Sequence, residues 1–498
     1  MLTLCFILMC ALLPFRLAAQ PIYDAEWVFG YGYAPAEGLG LSRLAFRDQA
    51  VRVSVWDEPG GFILGGGGSF VGDAAGVLQL VSNNCRVMDA ASLEVVDIGG
   101  ALAPGALHES NCAPYGSYPC FQCNLLAPEL TNDSVYYLLN NDLVLLFGME
   151  GAYSEALYLN VLVKRADGSF YLKDRQTLRQ GAMLPGRLTA GPHANGQQWW
   201  VWAVDDMSNR FYVYAIGGPD SLYAASAAQE TGAPLSIQEA DLGQATFSPD
   251  MQMLAINSRY LGVLLYDFDA GSGQLSNFRT VAYPGMERPR GLAFSPNSRW
   301  LYATAADRVC QIDLHAPDPT LAVEELARIT LTDPVSGDQL GAGYMLAGPD
   351  CRIYISPGAR APYLHVIHQP NEAGAACGLE LAAVHTPGRL DFFLPNQPMY
   401  RAISGCDSSL VWDIPVAIST PPANAALRVW PNPSGGALQV SLPEGGRPCV
   451  WELYDAAGRR VWKALLTTDG LRISGLTTGW YYWRAPELGA AGKVNVAR

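Results

Sequence analysis

Two turn sequences of nearly identical spelling, 47 residues apart, constrain this chain more than any other feature it carries. Gly243-Gln-Ala-Thr-Phe-Ser-Pro-Asp250 precedes the apolar run Leu254-Ala-Ile256, and Gly291-Leu-Ala-Phe-Ser-Pro-Asn297 precedes Trp300-Leu-Tyr-Ala-Thr304. A degenerate third copy, Ala347-Gly-Pro-Asp350 before Arg352-Ile-Tyr-Ile-Ser356, places Pro349 another 53 residues on. Gly191-Pro-His193 before Trp199-Trp-Val-Trp202 places Pro192 57 residues upstream of Pro249. Pro sets φ and Asp or Asn accepts the bend, so each copy reads as a tight turn leading into a strand. A period near fifty residues, filled by short strands, is the signature of propeller blades. Residues 21–412 hold roughly seven such units at ~40 to 50 residues each.

The intervening sequence agrees. Short apolar or alternating runs, among them Val51–Trp56, Trp199–Val204, Phe211–Ala215 and Val263–Phe268, are separated by Gly, Pro, Asn and Asp clusters. Helical periodicity is almost absent; Ala322–Ile329 could turn helically but lies between strand-like runs. After the repeats, residues 413–426 contain the stiff pair Pro421-Pro422 and read as a linker. Residues 427–498 then show strands at Leu438–Leu442, Val450–Tyr454, Arg460–Leu465, Leu471–Ile473 and Trp480–Arg484. The expected fold class is all-β: a β-propeller of seven blades, with six or eight as alternatives, followed by a small Ig-like β-sandwich.

Half of the residues are hydrophobic and 16% are charged, enough apolar material for a sizeable core. The net charge of -14 repels phosphate backbones and argues against nucleic acid as a partner. At the start, the apolar stretch Leu2–Leu13 leads to Leu17-Ala18-Ala19. It is too short for a bilayer span of ~20 residues and has the length of a signal-peptide core, so residues 1–19 read as a leader cleaved near Ala19. It departs from the usual pattern in having no Lys or Arg before that core. No later stretch is long and apolar enough to span a membrane, and the mature chain is expected outside the cell or on its outer surface, via the periplasm.

Nine cysteines remain beyond the leader, an odd number in an oxidising route where disulfides persist. Cys120-Phe-Gln-Cys123, with Cys112 upstream, could form half of a zinc site, but Cys85 and His108 supply no matching second pair. Disulfides are therefore expected over metal, with most pairings open. Cys377 and Cys406 flank the last propeller strands and are the one pair singled out, where circular closure most needs a staple.

No catalytic, cofactor-binding or metal-binding set emerges. His365 and His368 resemble a ligand pair, but on a strand they face opposite ways. His193, before Asn195-Gly196 and two tryptophans, is the strongest histidine candidate and reads first as a turn-capping or packing imidazole. Asp205-Asp206 lacks a third carboxylate at calcium-loop spacing. Gly65–Gly68 lacks the following Lys and Ser or Thr of a phosphate loop and reads as flexible. There is no Gly-x-Ser-x-Gly nucleophile elbow. Twelve Trp and 24 Tyr could stack on sugars or proteins, although most sit on alternating strands and belong to the core.

The C-terminal segment resembles the type A sorting domain of the type IX secretion system of Bacteroidota. The resemblance rests on Trp430-Pro431-Asn432-Pro433, on the hairpin Leu453 to Val461 with Tyr454, Asp455, Gly458 and Arg459, on Gly479 leading into Trp480–Arg484 with Tyr481, and on a closing strand with Lys493 and Arg498. It implies the type IX machinery as partner, passage through the outer membrane, and release or surface attachment. The repeat region resembles a family of large Bacteroidota surface proteins with YVTN/WD40-like propellers. That likeness rests on His193-Ala-Asn-Gly196 with Trp199-Trp200, on Gly291–Arg299 with Leu301-Tyr302, and on Leu394-Pro-Asn-Gln-Pro398 with Tyr400-Arg401 and Cys406-Asp407. Gln197-Gln198 stand where that family usually has Arg-Asp. The expected function is a non-enzymatic module binding surface protein or glycan. The alternative is a lactonase-type propeller hydrolase, with carboxylates, Asn and His converging at the central channel.

Overall fold

The computed structural model describes residues 21–30, 40–56, 62–64, 67–113, 116, 118–145, 151–218, 222–236, 243–319, 322–333, 337–358, 360–390, 392–412, 427–431, 434–442, 449–455, 460–467, 470–485 and 490–497. The leader, the segment 413–426, and Asn432, Pro433, Gly458 and Arg459 lie outside them. The chain divides into two compact units, Met1–Trp412 and Asp413–Arg498.

The larger unit is a β-propeller. Among the described residues it contains seven sheets, each a meander whose neighbouring strands are mostly consecutive in sequence. The first strands of the sheets are Glu26–Gly30, Ser69–Gly72, Asn124–Pro128, Ala190–Pro192, Ala245–Phe247, Pro289–Phe294 and Met345–Ala347. Successive first strands touch: Glu26–Gly30 meets Ser69–Gly72, Ser69–Gly72 meets Asn124–Pro128, and Ala190–Pro192 through Met345–Ala347 follow in order. Leu125 and Ala127 of the third sheet share an apolar cluster with Ala190 and Trp199 of the fourth. The ring closes where Leu379–Leu390 of the seventh sheet packs against the first. There Val411–Trp412 also pairs in parallel with Ala50–Val55, so both ends of the unit meet in one sheet.

The repeat turns behave as the sequence implies, with one shift. Ser248 donates its hydroxyl to Asp250 Oδ1 (2.6 Å) and accepts the Met253 N–H (2.9 Å); Ser295 does the same with Asn297 (2.6 Å) and Trp300 (2.9 Å). The left-handed residue is not the Asp or Asn but the one after it: Met251 (φ 57°), Ser298 (φ 58°) and Cys351 (φ 64°). The bend is stabilised by the serine and acid side chains, which releases the next position to take the positive φ. Ser298 Oγ also accepts the Asp250 N–H at 3.1 Å, joining consecutive repeats.

Between the sheets lie apolar clusters such as Val263, Leu265, Leu292, Phe294, Leu301 and Ile312. Burying a side chain of this size is worth roughly 1.5 to 3 kcal/mol, so the inter-sheet packing supplies most of the cohesion. Ala322–Ile329 resolves as the strand Val323–Arg328. Among the described residues no helix is long and apolar enough to cross a membrane, which says nothing of strands.

The smaller unit has a three-stranded sheet of Arg428–Trp430, Ala437–Ser441 and Leu471–Ser474. A four-stranded sheet of Arg460–Leu466, Cys449–Asp455, Gly479–Ala485 and Ala490–Val496 faces it. Leu438, Val440 and Ile473 of one pack on Trp451, Leu453 and Val494 of the other, making a sandwich core.

Candidate functional site

In a propeller the inner strands surround a central channel, and here that channel is occupied by the chain itself. After the seventh sheet, Phe392–Arg401 runs across the inner strands; Pro395 and Pro398 bracket Asn396-Gln397 and keep this stretch out of any sheet. Asn396 is buried and donates Nδ2 to the carbonyls of Asn124 (3.0 Å) and Leu188 (2.7 Å). Its Oδ1 accepts from Gln122 Nε2 at 3.1 Å, its backbone N–H reaches Gly68 O at 2.7 Å, and its carbonyl accepts from Ser69 Oγ at 2.8 Å. One residue thus joins the second sheet through its backbone, and the third sheet and the entry to the fourth through its side chain.

Two glutamines extend the lattice. Gln122 accepts the Ala245 N–H (2.8 Å) and donates to the Ala245 carbonyl (3.0 Å), clamping third sheet to fifth. Gln244 accepts from the N–H groups of Leu292 (3.0 Å) and Met345 (3.1 Å) and donates to Met345 O (2.8 Å), clamping fifth to sixth and seventh. A primary amide matches a peptide group donor for acceptor, which is why Gln and Asn fill these positions. At the end of the segment Arg401 is buried against Asp24 and donates Nη1 to Gly405 O at 2.6 Å. Burial pushes the Asp24 carboxyl upward, with Arg401 opposing.

The remaining cavity, lined by Asp24, Gln122, Thr189, Gln244, Asn396 and Arg401, measures about 40 Å³. That is room for a water molecule or two, whereas small-molecule sites run ~300 to 1,000 Å³. Asp24, Arg401, Gln122, Gln244 and Asn396 hold one another and the backbone, whereas Gln397 Nε2 and the Tyr400 hydroxyl, which also line the cavity, are buried without a hydrogen-bond partner.

The histidines do not converge. His193 accepts the Asn195 N–H on Nδ1 (3.0 Å) and stacks on Trp200 at 4.6 Å, a turn cap that also packs. It borders a surface depression of about 570 Å³ with Tyr23, Asp250, Met251 and Ile403. His315 follows Asp313, which accepts its N–H at 3.0 Å. His385 sits edge-on to Tyr363, and burial lowers its pKa, with Asp333 opposing. These three lie on the fourth, sixth and seventh sheets or their turns. His365 is buried between Gly341 O (2.8 Å) and the Ala382 N–H (2.8 Å), which makes it a neutral ring donating from Nε2. His368 instead reaches Glu380 (2.9 Å), as strand alternation implies. Asp205 is taken up by Arg179 and Tyr212. Among the described residues no group of three or more His, Cys, Asp or Glu could hold a metal ion.

Cysteine pairing departs from expectation. Cys406 is bonded to Cys351, not to Cys377. The chain leaves the channel through the short helix Arg401–Ser404, and Asp407 donates its N–H to Pro349 O (2.7 Å), bringing Cys406 beside the turn that carries Cys351, with Cα atoms 5.0 Å apart. Cys377 ends a helical turn, buried as a free thiol against the Tyr302 hydroxyl, and burial raises its pKa. Cys85–Cys112 and Cys120–Cys123 are the other disulfides. Of the run Gly65–Gly68, Gly65 and Gly66 lie outside the described residues, whereas Gly67 and Gly68 are buried, and a Cβ on Gly67 (φ 108°) would lie 2.9 Å from Cys120 O. They allow close backbone approach beside the channel rather than flexibility.

In the smaller unit Pro431 follows the strand Arg428–Trp430, and Tyr454 and Asp455 end the strand Cys449–Asp455. Gly479 opens the strand Gly479–Ala485, whose Tyr481 is buried and donates its hydroxyl to Thr477 O at 3.0 Å. Tyr454 donates to Glu452 (2.7 Å), a buried carboxylate also held by Arg484 (2.7 Å) and Arg460 (3.1 Å). Burial alone would raise the Glu452 pKa; these partners outweigh it and bring it to about 2.

Fold and site together define a β-propeller protein whose channel is sealed by its own chain and which carries a second, sandwich unit. No family model and no curated protein matches it. Among solved structures, a candidate 6-phosphogluconolactonase from Bacteroides uniformis aligns over 74% of this chain and 98% of its own, at 13% identity and a TM-score of 0.42. A protein of unknown function from Desulfotomaculum acetoxidans aligns over 74% and 99%, at 11% identity and 0.41. A protein from Lactobacillus plantarum aligns over 90% and 97%, at 13% and 0.33. Likenesses this distant carry no argument about the site.

Proposed function

We propose that this chain is an exported envelope protein whose propeller binds surface protein or glycan through its outer faces, while the C-terminal sandwich serves as a type IX sorting signal. The observation that carries the binding reading is the sealed channel: Asn396, Gln122 and Gln244 are spent on holding the ring, and about 40 Å³ admits no substrate. Three disulfides suit an oxidising compartment. Offered 6-phosphogluconolactone and simple lactones, the full-length protein leaves hydrolysis at the uncatalysed rate, and it retains ligands from arrays of glycans and outer-surface proteins. Saturable lactone turnover would overturn the reading in favour of a hydrolase whose 392–401 segment leaves the channel. For the export route, deleting residues 427–498 in the native host abolishes delivery to medium and cell surface; continued delivery would refute the sorting role.

A further inference from the structure

The four-stranded sheet of the smaller unit buries one face and leaves the other to solvent. Alternation turns Trp451, Leu453, Tyr481 and Val494 into the core. The opposite face is read from the strand registers: Glu452 lies across from Lys463 and Arg484, Tyr454 across from Tyr482, and Tyr482 across from Lys493. Trp480 and Tyr482 on this face are 46% and 50% exposed. Two positions apart on one strand, they stand ~7 Å from each other on a flat surface. Cations flank the rings: Lys493 Nζ lies 5.3 Å from the Trp480 centroid and the Arg484 guanidinium 5.1 Å from that of Tyr454. Among the described residues of this face, Arg460, Lys463 and Arg484 surround the carboxylate of Glu452, and Lys493 adds a fourth cation.

That charge runs against the rest of the protein. Asp413–Arg498 carries nine Lys and Arg against six Asp and Glu, whereas Met1–Trp412 carries 23 against 40. Large exposed rings interleaved with cations on a solvated sheet face contribute nothing to the sandwich core, which is filled from the other side.

We propose that this face binds an anionic polysaccharide, its rings stacking on sugar faces while Lys and Arg pair with carboxylate or phosphate groups. Charge complementarity selects a polyanion, and the exposed aromatic platforms select one that presents the C–H faces of sugar rings, which polyglutamate lacks. The inference stands independently of the sorting role.

The test titrates full-length protein with polygalacturonate, using neutral dextran and polyglutamate as comparisons. Polygalacturonate binds, with affinity falling as salt rises, dextran does not, and polyglutamate binds at least about tenfold more weakly. The double variant Trp480→Ala/Tyr482→Ala loses about tenfold in affinity while circular dichroism stays unchanged. Lys493→Gln, which keeps both rings, loses about threefold and covers the case in which the double variant does not fold. Polyglutamate binding as tightly as polygalacturonate, undiminished binding by these variants, or no binding of polygalacturonate at low salt would overturn the proposal.

Discussion

Replacing Asn396 by Ala removes three side-chain hydrogen bonds from the centre of the ring at once. Its Nδ2 leaves the carbonyls of Asn124 and Leu188, and Gln122 Nε2 loses one of its two acceptors. A buried hydrogen bond contributes about 1 kcal/mol net, and stranding buried carbonyls adds to that, so the loss is roughly 3 to 4 kcal/mol. Urea unfolding of the full-length protein, followed by the emission of buried tryptophans such as Trp27 and Trp199, reads it directly. Asn396→Asp is worse at neutral pH, because a buried carboxylate then faces two carbonyl oxygens, and it recovers in acid as protonation restores a donor. A loss below about 1 kcal/mol for Asn396→Ala would refute the view that this side chain holds the sheets together.

Cys351→Ser unlatches the chain after the channel segment and costs roughly 4 kcal/mol for a loop of this length, while Cys377→Ser leaves disulfide mapping unchanged; a peptide linking Cys377 to Cys406 would contradict the pairing. Glu452 is bound more favourably as a carboxylate in the folded sandwich than in the unfolded chain. Its contribution is therefore present above pH ~4.5 and lost as pH falls towards about 2, up to roughly 3 kcal/mol, and acid titration of Glu452→Gln shows a flatter profile. Gly291→Ala places a Cβ 2.7 Å from Met345 N and 2.8 Å from Gly343 O, both backbone, and lowers propeller stability by about 2 kcal/mol in a thermal melt.

The all-β class was legible because it is written locally. The Ser-Pro-Asp and Ser-Pro-Asn turns, and runs such as Trp199–Val204, need only neighbours in sequence to declare themselves, and the strand Trp199–Val204 coincides with a continuous apolar run buried on both faces. The channel lattice was not legible, because its partners are far apart: Gln122 meets Ala245 and Asn396 across 123 and 274 positions. The only local sign was Leu394-Pro-Asn-Gln-Pro398, two prolines around two amides that cannot continue a strand. Cys406 found Cys351 rather than Cys377 for a similar reason, since the helix Arg401–Ser404 redirects the chain after the seventh sheet. The role of His193 is legible in the sequence, because turn capping by an imidazole is decided within three residues.

Whether the channel is sealed in solution is decided most directly by amide hydrogen exchange across Phe392–Arg401 in the full-length protein. The Asn396 and Met399 amides donate to Gly68 O and Ala190 O, both at 2.7 Å, and are expected to exchange as slowly as those of the strand Trp300–Ala305, through global opening alone. Exchange at the rate of an unstructured peptide, with the inner strands still protected, would mean an open channel and would return catalysis at its centre to consideration.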